Sequence, residues 1–145
     1  MKTSDPPIII THLFDRTVDE VWAAITRQDQ LVQWFFEEIP DFKAEVGFIT
    51  QFNIKAPSRD FMHLWEITEM IPQKRIVTNW KYEGFKGDSF VIFELEEVAN
   101  QTQLTLTTKV VEDFDDAIPE FRYESGLAGW NYFIKERLHS YLNKH

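Results

Sequence analysis

At 145 residues, 43% of them hydrophobic and 15% aromatic, the chain has the size of one domain (residues 1–145) and enough apolar side chains for a packed core, which argues against disorder. A formal charge of −9 with no Lys/Arg cluster interleaved with aromatics repels phosphate backbones and anionic bilayer surfaces, so no nucleic-acid partner is expected. Having no cysteine, the chain has no disulfide, thiolate nucleophile or Cys-ligated metal site.

The first residues, Met1 to Pro7, lack the apolar core of a signal peptide, and no apolar run is long enough to span a bilayer. A cytoplasmic protein without membrane insertion is the expectation. After Pro6-Pro7, the β-branched run from Ile8 to Phe14 predicts a first strand, with proline confined to its entry, where no ladder donor is needed. Thr17 followed by Glu20 predicts a capping box, and Val18, Val21, Trp22 and Ile25 then repeat on one helical face. Asp29 is expected to cap a second short helix through Trp34, with Pro40 marking its exit.

From Phe42 to Val110 the hydrophobic pattern has mostly a period of two, broken by turn residues at Gly47, Pro57-Ser58, Pro72, Gly84 to Gly87 and Asn100. Such short connections predict an antiparallel meander. Alternation places Phe52, His63, Trp65, Thr78, Trp80 and Phe93 on one covered face, while Glu66, Lys81, Glu94 and Lys109 take the wet one. A slip of one residue would invert any of these sets. Cover is expected from a long C-terminal helix carrying Leu127, Trp130, Ile134, Leu138 and Tyr141 at three- and four-residue intervals. The approach to that helix, Glu112 to Pro119, reads as an acidic loop that gates a cavity, attracts a basic partner or faces solvent, and Gly126 and Gly129 allow close packing or a break in the early turns. The architecture is therefore α+β: a curved antiparallel sheet wrapped around a terminal helix, with two short helices after the first strand.

If the rings on the covered face converge with Trp130 and Phe133 on the helix, they wall a site for a small hydrophobic or aromatic molecule, with His63 and Thr78 as polar tips. Three consecutive aromatics, Trp34-Phe35-Phe36, cannot all enter one core from a regular element, so Trp34 and Phe36 are further candidates for the cavity wall. No phosphate loop, nucleophile elbow or zinc-helix motif occurs, and no pair among His12, His63, His139 and His145 has ligand spacing, so neither a metal nor a cofactor is expected. An acid/base pair of Glu69 with His63 is the one conceivable catalytic constellation.

The block Val18 to Ile25 with Leu31 and Trp34, the segment Glu66 to Ile76 leading to Trp80, and Gly129-Trp130 together resemble the START-like (SRPBCC) superfamily. More narrowly, they are similar to the family related to the C-terminal domain of activators of the heat-shock protein 90 ATPase. The resemblance covers nearly the whole chain. It implies a helix-grip fold with a hydrophobic cavity that various members use for lipids, hormones or polyketides. It also implies two alternatives to non-catalytic ligand binding: an interaction module that modulates a heat-shock chaperone ATPase, and a small cyclase- or hydrolase-like enzyme on the same scaffold. Full activators carry a further N-terminal domain that does much of the chaperone docking, whereas this chain enters its first strand almost at once.

Overall fold

The computed structural model describes residues 1–144; His145, considered above among the histidines as a metal ligand, lies outside them. Strand β1 (Ile8–Phe14) is followed by helices α1 (Val18–Thr26) and α2 (Gln28–Trp34), then by β2 (Ile49–Lys55), β3 (Asp60–Ile71), β4 (Arg75–Tyr82), β5 (Asp88–Val98) and β6 (Gln101–Glu112). The six strands form one antiparallel sheet in the order β1-β6-β5-β4-β3-β2, so the meander is closed on one side by the first strand returning to the last. A helix running from Tyr123 to Lys144 lies over the sheet, the helix-grip arrangement expected from the sequence.

Thr17 caps α1: its hydroxyl accepts from the Glu20 amide at 3.2 Å, and the Glu20 carboxylate accepts from the Thr17 amide at 3.2 Å. The second helix differs from its expected start. Arg27, in an extended conformation, serves as both the end of α1 and the N-cap of α2, without a side-chain cap. Asp29 instead sits in the first turn, where its charge suits the helix dipole and pairs with Arg27 at 3.2 Å.

Strand alternation holds through most of the sheet, with Phe61, His63, Trp65 and Ile67 buried and Glu66 exposed between them. It fails beyond Ile67 for a local reason. A bulge between Ile67 and Glu69 inserts one residue against β4 and inverts every later side chain of β3. Glu69 therefore turns outward and accepts from the Arg75 guanidinium at 3.0 Å, and no Glu69–His63 pair exists.

The terminal helix corrects the expected stripe as well. Leu127 is 36% exposed, while Trp130, Ile134, Leu138 and Leu142 are buried at four-residue intervals. Around an ordinary α-helix a four-residue spacing drifts by about 40° per step. Here the middle of the helix, Tyr132–Leu138, is π-helical, and its wider turns offset that drift so that one line of side chains stays on the sheet.

Candidate functional site

The sheet's covered face is divided between a filled end and a hollow end. At the filled end Ile25 of α1, Leu31 of α2, Phe35 and Phe42 descend onto Trp65, Ile76, Thr78 and Phe93, leaving only about 20 Å³ of void. At the other end, beneath the first turns of the terminal helix, lies a cavity of about 300 Å³. His63 and Trp80 form its floor, Phe36 and Phe133 one side, and Trp130 part of its roof. A second cluster closes its far end: Phe114 and Ile118 from the acidic segment, with Phe121 just beyond it, pack on Phe61 of β3. That segment is anchored by these apolar side chains while its carboxylates face outward, a division that the density of Asp and Glu hid in the sequence.

Of the ten candidates, Phe36, His63, Trp80, Trp130 and Phe133 border this cavity. Trp65, Thr78 and Phe93 belong to the filled end. Phe52 lies behind His63, stacked on its ring at 5.0 Å. Trp34 is fully buried away from the cavity, with its indole N–H donating to Ala24 O at 2.8 Å. The aromatic triplet fits inside because the chain leaves α2 at Phe35, whose backbone is non-helical, so the three rings pack on one another in a row from α1 to the cavity. Sequence reasoning missed Phe35 and Val91, and it missed Phe114 and Phe121 because aromatic residues in an acidic loop carry no periodic signal.

Trp34 and Trp65, two of the four buried tryptophans among the described residues, also differ in polar satisfaction. Trp65 Nε1 has no hydrogen-bond acceptor, whereas Trp34 Nε1 is bonded. Both Trp→Phe replacements remove similar apolar surface. Trp34→Phe is therefore expected to destabilise the protein by roughly 1–3 kcal/mol more than Trp65→Phe, as measured by urea denaturation.

The cavity's polar groups sit on neighbouring strands. His63 and Tyr82 are cross-strand partners with ring centroids 4.8 Å apart. His63 Nδ1 donates to Phe61 O at 3.1 Å, which leaves Nε2 as a lone-pair acceptor without a partner among the described residues. The Tyr82 hydroxyl accepts from Trp80 Nε1 at 2.9 Å. Ser89 donates to Trp80 O at 2.7 Å, so its proton is already engaged. Burial pushes the Tyr82 phenol up to about 12, with the Trp80 N–H acting weakly in the opposite sense. Burial lowers His63 to about 4, only slightly offset by its bond to Phe61. The rings around His63 are those of Phe36, Phe52, Trp80 and Tyr82, none charged at neutral pH, and Glu120 is the carboxylate that borders the same cavity.

A pH dependence of stability follows. As pH falls from about 6.5 to about 4, the unfolded chain binds a proton at His63 that the folded chain does not, so stability declines by up to roughly 3 kcal/mol over that window. Above pH 6.5 both states hold the ring neutral and this contribution is flat. Denaturation of wild type and His63→Leu at pH 7 and 4.5 should show a smaller acid loss in the variant; equal losses would remove the effect. Since His12 is also lowered, chiefly by burial and then by His139 and Lys135, some loss will remain in His63→Leu.

Outside the cavity, His12 Nε2 and His139 Nδ1 lie 3.0 Å apart, joining β1 to the terminal helix. No group of three or more His, Asp or Glu positioned for a metal ion occurs among the described residues. No described helix is long and apolar enough to cross a membrane.

Structures sharing this fold come from several bacteria. The chain superimposes on CV1439 from Chromobacterium violaceum with a TM-score of 0.78 at 19% identity, covering 94% of this chain and 96% of that one. For BH1534 from Bacillus halodurans the values are 0.71 and 23%, with coverage of 95% and 97%. DynU16, a protein in the dynemicin biosynthetic locus, aligns with a TM-score of 0.76 at 24% identity over 96% of this chain but 48% of its own, so the chain spans about half of DynU16's length. These likenesses establish the fold alone. No curated protein is recognisably related by sequence. Residues 15–143 match the family described as Activator of Hsp90 ATPase homolog 1-like protein, and the chain belongs to that family.

Proposed function

We propose that the protein binds a small, mostly apolar molecule in the cavity between the sheet and the terminal helix, without chemical change to it. The observation that carries this reading is the hollow itself: about 300 Å³ walled mainly by rings and aliphatic chains. Small-molecule sites range over about 300–1,000 Å³ and have this makeup of apolar walls and few polar tips. Interiors are otherwise close-packed, so such a space needs a reason to persist. Gly129 is part of that reason. It borders the cavity from the helix, and a Cβ there would meet nothing within 4 Å. A glycine inside a helix costs about 1 kcal/mol relative to alanine, so the open space is kept at a cost in stability. Affinity would come from apolar desolvation at roughly 25 cal/mol per Å². The ligand-facing candidates are Phe36, His63, Trp80, Trp130 and Phe133.

The experiment is a titration with the neutral dye N-phenyl-1-naphthylamine, followed by its emission, in wild type and Gly129→Leu. Wild type is expected to give saturable, blue-shifted emission. Gly129→Leu, with a side chain in the hollow and a better helix former in the helix, is expected to lose binding while melting at a higher temperature. Absence of saturable binding in wild type, or undiminished binding in Gly129→Leu, would defeat the proposal.

A further inference from the structure

We propose that His63 and Tyr82 together form a subsite for a neutral hydroxyl group, so that the cavity selects phenols or alcohols over ethers of the same skeleton and over carboxylates. The inference rests on the ligand-binding reading above and specifies the ligand's chemistry. His63 is 4% exposed, and its Nδ1–H is committed to Phe61 O, which fixes the tautomer and presents Nε2 as an acceptor only. Tyr82 is the complement. Its oxygen already accepts from Trp80 Nε1, and its own O–H has no acceptor among the described residues, so it remains available to donate.

The two residues face each other across a strand pair and both border the cavity. An acceptor and a donor side by side are satisfied together by a group that both donates and accepts. A hydroxyl does this with one oxygen: its proton goes to His63 Nε2 and its lone pair receives the Tyr82 proton. An ether oxygen answers only Tyr82 and leaves the His63 lone pair unmet. A carboxylate brings a lone pair against a lone pair; no lysine or arginine borders the cavity among the described residues, and the ammonium of Met1, a residue that does, already donates to Phe121 O and lies among Asp5, Asp113 and Asp116. Because burial keeps His63 neutral at physiological pH, the ring supplies no cation either. Glu120, at the same cavity and bonded to Ser58 Oγ at 2.6 Å, adds a negative charge that further disfavours anions.

The test measures affinities of 2-naphthol, 2-methoxynaphthalene and 2-naphthoate by calorimetry at pH 7 for wild type, His63→Leu and Tyr82→Phe. Wild type is expected to prefer 2-naphthol over 2-methoxynaphthalene by on the order of tenfold, the worth of one buried hydrogen bond, and to bind 2-naphthoate more weakly than either. The ratio of the first two affinities should collapse toward one in His63→Leu, whereas Tyr82→Phe, which removes the donor that serves both oxygens, should weaken both ligands and leave the ratio near its wild-type value. Being a ratio within one protein, it is insensitive to partial loss of folded material, and the wild-type ratio alone already discriminates. Equal binding of naphthol and its methyl ether by wild type, an unchanged preference in His63→Leu, or undiminished binding of both ligands by Tyr82→Phe would overturn the subsite. If the neutral dye binds wild type without any hydroxyl preference, the subsite fails and the cavity reading stands; if neither the dye nor the naphthalenes bind, both fail.

Discussion

Phe35→Ala is expected to destabilise the protein by roughly 3–5 kcal/mol, the range for removing a buried phenyl ring. The ring lies where the two halves of the covered face meet. It stacks on Trp34 at 4.9 Å and on Trp65 at 5.8 Å, and reaches Trp130 at 5.6 Å and Phe133 at 4.8 Å. It thereby ties α2 to β3 and to the terminal helix. Rigid aromatic neighbours cannot collapse readily into the space, which favours the upper part of the range. The vacated volume would also join the filled end to the hollow end, so the variant should accept bulkier apolar molecules than wild type. Urea denaturation together with a size series of neutral aromatics checks both effects; a loss under about 1 kcal/mol would show that Phe35 is not the keystone described.

Gly87→Ala should cost about as much, by a different mechanism. Gly87 has φ of +119°, a region that residues with a side chain rarely adopt, and a Cβ there would stand 2.2 Å from Cδ1 of Phe114. The ring cannot yield easily, being 1% exposed and packed among Phe61, Ile118 and Phe121. Either β5 shifts at its start or Phe114 leaves its cluster, and with it the closure of the cavity's far end. The expected loss is roughly 3–5 kcal/mol, from backbone strain plus the displaced ring, accompanied by faster exchange of bound dye. A double variant Gly87→Ala with Phe114→Ala should recover part of the strain, since the clash partner is gone; a fully additive result would refute the steric account.

What could be read from the sequence was what repeats. The capping box at Thr17 and Glu20 and the parity of β2 through β6, apart from β3 beyond Ile67, involve neighbours in the chain, so local physics defines them. The inversion after Ile67 arises from one inserted residue, and no residue type announces it. The π-helical turns are equally silent except in retrospect, through the strict four-residue spacing from Trp130 to Leu142. For the site, parity identified the covered face but not position along it. Trp65 and Phe93 share a face with His63 and Trp80, yet α1 and α2 fill the space above them, a consequence of long-range packing. Phe114, Ile118 and Phe121 were masked by the carboxylates around them, although three apolar residues in an acidic stretch are what a loop anchored on a core requires.

The central claim, that an apolar molecule occupies the hollow under the terminal helix, is tested most directly by isotope-filtered NOE spectroscopy of the protein with N-phenyl-1-naphthylamine. The account predicts intermolecular contacts from the dye to the ring protons of Phe36, Trp80, Trp130 and Phe133. Contacts confined to outward-facing side chains such as Ile9 and Ile49, with none to those four rings, would contradict it.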